Sequence, residues 1–330
     1  MADVALPSTR LPPSLSAALR RFGRSDVRFR WLTLAAAWLV LLIFIGIIVS
    51  LWQGAWPAFR TFGFGFFTGT VWNPVTEKFG AFPAIYGTLV TSALAMAIAV
   101  PVGIGIAIFL TELCPRPLRR PVGIAIELLA GIPSIIYGIW GLFVFAPFFQ
   151  QFVEPWLIDV FGNVPVLSTL FAGPPYGIGI FTASLILSIM VLPFISAVTR
   201  DVFETVPAML KEAAYGLGCT TWEVMWSVVL PFARSGVVGG AMLALGRALG
   251  ETMAVTFVIG NAHHIPTSLF SPGTTISATI ANEFTEALGD LYVSSLVAIG
   301  MILFLITFIV LAVAQLMLRS LEARSGGRSQ

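Results

Sequence analysis

Charge is scarce in this chain. Only 10% of its 330 residues are Asp, Glu, Lys or Arg, against about 25% in an ordinary soluble domain, and that balance excludes an ordinary soluble enzyme. Cysteine is nearly missing: Cys114 and Cys219 form no CxxC or zinc spacing, so redox chemistry and metal ligation find no support. The two histidines, His263 and His264, are neighbours, and neighbours do not face one ligand in a regular strand or helix, so they are assigned no metal. No Gly-rich phosphate loop followed by Lys and Ser or Thr occurs, which places ATP hydrolysis on another polypeptide, and no convergent nucleophile, base or metal cluster marks an enzyme. The net charge of +2 points to no nucleic-acid partner. What is abundant is apolar: 57% hydrophobic residues, including 27 Phe and 9 Trp, with a mean hydropathy of +0.93. A soluble core cannot hide that much, so the remaining solvent is lipid.

A spanning helix needs roughly 20 mostly apolar residues to cross the hydrocarbon layer. Six stretches qualify: Trp31–Trp52, Ala84–Leu113, Val122–Phe149, Gly177–Val198, Gly236–Gly260 and Leu291–Leu318. The alternating pattern of barrel strands is absent, so the expected fold is all-α, with six transmembrane helices. The first stretch follows a cluster of arginines and imitates a signal peptide. It is too long for one, and Leu51, Trp52 and Trp56 make no small-residue cleavage site, so it reads as an uncleaved first helix.

Orientation follows from the basic residues. With the amino terminus inside, the inner segments hold Arg10, Arg20, Arg21, Arg24, Arg28, Arg30, Arg116, Arg119, Arg120, Arg200, Lys211, Arg234, Arg319, Arg324 and Arg328, which is 15 of the 18. Arg60 and Lys78 fall outside, and Arg247 lies within the fifth stretch. The expectation is that both termini are cytoplasmic. The domain plan is then a basic cytoplasmic segment over 1–30, a six-span domain over 31–318 and a cytoplasmic tail over 319–330. The outer loops are rich in Gly, Pro and aromatics, compatible with interfacial anchoring or with receiving a partner.

The inner loop over about 199–235 reads as two short helices with a break. Pro207 begins the first, and Gly218 provides a turn at positive φ. Thr220 or Thr221 caps the second with Glu223 near its positive end, and Pro231 marks the boundary into the fifth span. Within it, Glu212-Ala213-Ala214, Gly218, Val228 and Leu230-Pro231 reproduce a spacing that resembles the EAA signature of ATP-binding-cassette importer permeases, with Val228 where isoleucine is usual. The resemblance implies that this elbow seats in a groove on a cytoplasmic ATPase. Ala213 and Ala214 suit close approach, Gly218 the bend, and Glu212 offers a carboxylate to the partner.

The fifth span carries Arg247 and Glu251 at i, i+4, with Thr252 and Thr256 close by. A charge near mid-membrane costs at least ~2.5 kcal/mol, so it requires a partner or a cavity. Two readings are open: a structural ion pair, or an anion site in which the guanidinium fork meets a tetrahedral oxyanion. In the second, Glu251 selects phosphate, whose remaining proton donates to a carboxylate, over sulfate, which has none. Small residues at 236, 240, 244, 246 and 250 permit close approach of a helix or a ligand. Glu127 either pairs with Arg247, lines the path or snorkels to the interface, and Pro133 kinks the third span.

The run from Gly246 to Thr256 resembles the fifth-span motif of phosphate importer permeases. Tyr86–Ser92, Ile126–Gly138, Trp140–Pro147, Lys211–Glu223 and Ala281–Phe284 agree with it, in the PstC rather than the PstA pattern. The likeness runs from about Trp31 to Leu318. It implies a type I ABC importer permease architecture (MetI-like) in a bacterial plasma membrane, pairing with a second, PstA-type permease. It also implies two copies of a cytoplasmic ABC ATPase and an extracytoplasmic phosphate-binding protein. The implied substrate path holds Arg247, Glu251 and Thr252; the implied coupling residues are Glu212, Ala213, Ala214, Gly218, Leu230 and Pro231. No cofactor is expected on this chain. The rivals are a permease for another oxyanion and, from a different class, an ion-coupled secondary carrier.

Overall fold

The computed structural model describes residues 13–326 except 163 and 166, with side chains described between 27 and 320. Arg10 and Arg328, counted above for orientation, lie outside the described residues. The chain divides into two units, residues 1–53 and 54–330. Among the described residues six helices are long and apolar enough to cross a membrane: Val27–Phe62, Phe82–Leu113, Ser134–Phe161, Ile180–Glu204, Thr221–Leu249 and Asp290–Ser320.

The first unit lies within α1 (Pro13–Phe62), whose side chains such as Trp31, Leu39 and Ile43 are exposed, as suits a helix solvated by lipid. The second unit holds the end of α1 and α2 (Phe82–Leu113), α3 (Arg116–Ala130), α4 (Ser134–Phe161), α5 (Ile180–Glu204), α6 (Ala208–Gly216), α7 (Thr221–Leu249), α8 (Met253–Val258), α9 (Ile276–Glu283) and α10 (Asp290–Gly326). A hairpin of β1 (Trp72–Asn73) and β2 (Lys78–Phe79) precedes α2.

The most extensive packing is between α2 and α5. It rests on small side chains: Ala95 and Ala99 are fully buried, and Gly103 admits Ile195 of α5. On its other flank α5 receives α7, whose Gly236 and Gly240 meet Val202 and Val198. The small-residue stripe of the fifth span is therefore used to pack this chain against itself. Buried hydroxyls in these helices bond back to their own turns, Thr91 to Gly87 at 2.6 Å, Ser184 to Ile180 at 2.7 Å and Ser188 to Leu185 at 2.7 Å. That satisfies them where no water can.

Two expectations are corrected. The third span does not run continuously over Val122–Phe149. It breaks at Gly131-Ile132-Pro133, leaving α3 as a separate amphipathic helix and shifting the span to Ser134–Phe161. Pro133 has no N–H to donate and disfavours helix at Ile132, so the chain restarts there, and Tyr137 Oη donates to the Leu129 carbonyl at 2.9 Å across the gap. Nor does Pro231 form a boundary, because α7 runs through it. Four widened, π-type turns, Phe109–Leu113, Gly141–Phe145, Phe149–Val153 and Met225–Val229, each end two residues before a proline: Pro115, Pro147, Pro155 and Pro231. Where the helix continues, at Pro147, Pro155 and Pro231, widening the preceding turn relieves the clash of the ring with the carbonyl four residues back; at Pro115 the chain has already left the helix through the extended Cys114.

Candidate functional site

The fifth span also stops early. It was expected to reach Gly260, but α7 ends at Leu249, and Gly250-Glu251-Thr252 separates it from the short α8. Arg247 and Glu251 therefore do not share a helix face, and among the described residues no ion pair joins them. Each instead meets the helix end that suits its charge. Arg247 sits in the last turn of α7, at the negative end of the dipole, while Glu251 Oε1 accepts the Ala254 N–H of α8 at 3.2 Å. Thr252 takes part in the same cap, its carbonyl accepting Thr256 Oγ1 at 2.7 Å.

The Arg247 guanidinium lies over the ring of Phe194, 4.4 Å from the centroid. Such a contact contributes about 0.5–2 kcal/mol and leaves the guanidinium edge free for an oxyanion. Phe194 is ten residues from the Glu204 end of α5 and fourteen from its Ile180 start, so Arg247 sits at mid-depth. It is exposed on this chain, as is Gly250, whereas Ala244, Ala248 and Leu249 behind them are buried. A charge and a broken helix at that depth are tolerated only where they face a water-filled cavity or another protein surface. Phe194 was not singled out by the sequence: nothing in a phenylalanine beside Pro193 marks it as the support of a cation on a different span. Glu127 pairs with Arg200 at 2.6 Å rather than with Arg247.

At the far end of α5 lies the elbow. Pro207 precedes α6, Gly218 turns the chain with φ at +87°, and Thr220 closes a capping box with Glu223, the Thr220 N–H donating to Glu223 Oε2 at 2.7 Å. The second short helix is not separate but is the start of α7. The signature residues divide by direction. Glu212, Ala213, Gly218 and Pro231 are exposed, while Ala214 is buried in a cluster with Ala107, Phe203, Met225 and Val229, and Leu230 is half-buried against it. Ala214 therefore does not face outward with Ala213, because its methyl holds α6 onto α2 and α7. Lys211, read in the sequence as an inner basic residue and without a partner assigned, reaches Glu112 at the end of α2, Nζ to Oε1 2.6 Å, with both side chains largely covered. The signal was available: Glu112 closes an apolar run, where a carboxylate requires a partner.

The opposite end of the bundle is gathered around Glu283. Its Oε2 accepts Trp72 Nε1 at 2.6 Å and Tyr292 Oη at 2.7 Å, and its Oε1 meets His263 Nε2 at 2.6 Å. Burial pushes the Glu283 carboxyl up, but the bonds from His263, Tyr292 and Trp72 and the His263 charge outweigh it and hold the group below its ordinary value. His263, which lacked a role in the sequence, stacks on Trp72 and joins the hairpin to α9.

Residues 99–323 match the family described as "Binding-protein-dependent transport system inner membrane component". The chain belongs to this family. Within it, the chain is of the PstC type. It is 66% identical over 322 residues to the "Phosphate transport system permease protein PstC" of Mesorhizobium japonicum, covering 98% of both chains. It is 60% identical to the protein of that name from Pasteurella multocida, covering 91% of this chain and 94% of the relative. The likeness extends to a "Probable phosphate transport system permease protein PstC" of Methanocaldococcus jannaschii at 36% identity, over 88% of this chain and 93% of that one. Among solved structures, a bacterial ABC transporter "involved in the import of the acidic polysaccharide alginate" superposes with a TM-score of 0.59 at 19% identity, over 90% of this chain and 98% of that chain. At that identity the likeness concerns the fold: a six-span, multi-pass permease of the ABC importer type.

Proposed function

We propose that this chain is a membrane-spanning subunit of an ATP-driven inorganic phosphate importer in a bacterial inner membrane, with Arg247 meeting phosphate in transit. The observation that carries the reading is Arg247 itself, a permanent cation at mid-depth, exposed on the isolated chain and supported by Phe194 beside a broken helix. A surface of that kind needs a second protein to close the path around it. The names of the relatives favour phosphate as the anion, and Glu251, whose second carboxylate oxygen has no partner among the described residues, suits the proton that phosphate retains. We take the closing protein to be a second, PstA-type permease. Glu212, Ala213, Gly218 and Pro231 present the outer face of the elbow to a cytoplasmic ATPase, two copies of which serve the pair. Ala214 and Leu230 hold that elbow on the bundle, and both termini then lie in the cytoplasm. An extracytoplasmic phosphate-binding protein delivers the ligand to the opposite end. No catalysis belongs to this chain.

Vesicles containing the complete complex test the reading. Labelled phosphate is expected to accumulate only when ATP is supplied on the elbow side, and excess sulfate is expected to compete poorly. Accumulation driven by a proton or sodium gradient without ATP would overturn it in favour of a secondary carrier, and equal competition by sulfate would move the substrate to oxyanions in general.

A further inference from the structure

The break at Pro133 frees α3 from the third span, and the helix it leaves has its polarity reversed relative to an ordinary surface helix. Leu118, Pro121, Ala125 and Leu128, one face at helical spacing, are all exposed, with Leu128 at 68%. The polar side, with Arg116, Arg119, Arg120 and Glu127, is turned toward α5 instead. There it borders a cleft of about 340 Å³, walled on the other side by Arg200 and Glu204.

Four arginines meet three carboxylates at this cleft, so one positive charge is left over. Arg200 takes up the carboxylates: Glu127 at 2.6 Å, Asp201 at 3.2 Å and Glu204 at 4.0 Å. Gly123 makes room for it, since a Cβ there would lie 2.8 Å from Arg200 Nη1. Among the described residues Arg116, Arg119 and Arg120 have no acidic partner. Three guanidinium groups without an ion-pair partner therefore sit at the rim of a cleft, beside Ile124, which lines it, and the exposed Leu128.

We propose that this cleft binds an anionic phospholipid, its phosphodiester held by Arg116, Arg119 and Arg120 and its acyl chains lying along Ile124 and Leu128. The two halves of the surface complement the two halves of such a molecule, and neither half is satisfied alone: an apolar strip without lipid faces water, and free inorganic phosphate engages the arginines while leaving the strip bare. The lipid would fix α3 against α5 next to the elbow, through the same Arg200 that Glu127 anchors.

The test uses the intact transporter complex, delipidated in mild detergent and titrated with phosphatidylglycerol under native mass spectrometry. Phosphatidylglycerol is expected to bind in preference to phosphatidylcholine. In R116Q/R119Q/R120Q, retention is expected to weaken by about fivefold for each arginine removed, whereas R116K/R119K/R120K is expected to keep most of it. Millimolar inorganic phosphate is expected not to displace the lipid. Should the triple glutamine variant fail to assemble, Arg119→Gln and Arg120→Gln singly, each about fivefold weaker, carry the test. Equal binding of phosphatidylcholine, unchanged binding in the glutamine variants, or displacement by inorganic phosphate would each overturn the proposal. The last would make the cleft a site for soluble anions. Absence of any bound lipid in the complex would overturn it as well, leaving the face to a neighbouring subunit.

Discussion

Single residues in this protein are chosen by what compensates them. Arg247 is a mid-depth cation that has a phenylalanine ring beneath it and a helix C-terminus around it, and among the described residues no carboxylate pairs with it. Glu251, read in the sequence as its i, i+4 partner, instead caps α8. If Glu251 also receives the proton of phosphate, Glu251→Gln should keep phosphate uptake while relaxing discrimination against sulfate. Competition of labelled phosphate by sulfate is the readout, and unchanged discrimination would remove Glu251 from selectivity. Glu283 is compensated by three donors, and its carboxyl lies below the ordinary value of 4.5. The unfolded chain therefore takes up this proton at higher pH than the folded one. The stabilisation is present above pH 4.5 and is lost as pH falls below it through the depressed value. Thermal unfolding of the complex between about pH 6 and pH 3 should show that loss, and Glu283→Gln should flatten it. Identical pH dependence in the two proteins would contradict a role for this carboxylate in holding the hairpin to α9 and α10.

At the scale of elements, the apolar runs were legible in the sequence because each must be about one bilayer long; four of the six spans lie where hydropathy places them, while the third is displaced to Ser134–Phe161 and the fifth to Thr221–Leu249. The breaks were legible only in part. Pro133 was read as a kink and is a full interruption, since it removes a donor and disfavours helix at the residue before it. Pro231 was read as a boundary and is spanned, because the preceding turn widens around it. Gly250 ends α7 although nothing in the local pattern demands it, and the reason is tertiary: α8 turns to pack on α4, with Gly138 close to Phe257 and Ala254. The elbow was the most legible element, since its turn, cap and signature spacing all act locally, whereas the inward orientation of Ala214 and the Lys211–Glu112 tie depend on α2. Gly218 at φ +87° permits a specific prediction. Gly218→Val places a β-branched residue where it is strained by about 1–3 kcal/mol, which should tilt the elbow and uncouple it. ATP hydrolysis by the complex should continue while phosphate uptake falls, and retained uptake would contradict the coupling role.

For the molecule as a whole, the scarcity of charge is what makes the remaining charges informative. Within residues 54–330, Arg200 and Lys211 lie at the elbow end, a carboxylate ties the hairpin end together, and one arginine stands between them at mid-depth. On the function proposed above, those three levels would serve to engage an ATPase, receive a ligand and pass an anion across. The family match, rather than the elbow, is what separates this chain from an ion-coupled carrier. The central claim, that the anion passes Arg247, is tested most directly by ATP-driven uptake of labelled phosphate in vesicles holding the complete complex with Arg247→Gln. Co-purification of the subunits serves as the control for assembly. The account predicts an assembled complex in which phosphate uptake is abolished. An assembled complex that still takes up phosphate at the unaltered rate would contradict it, and a complex that falls apart would assign Arg247 to the subunit interface instead of the path.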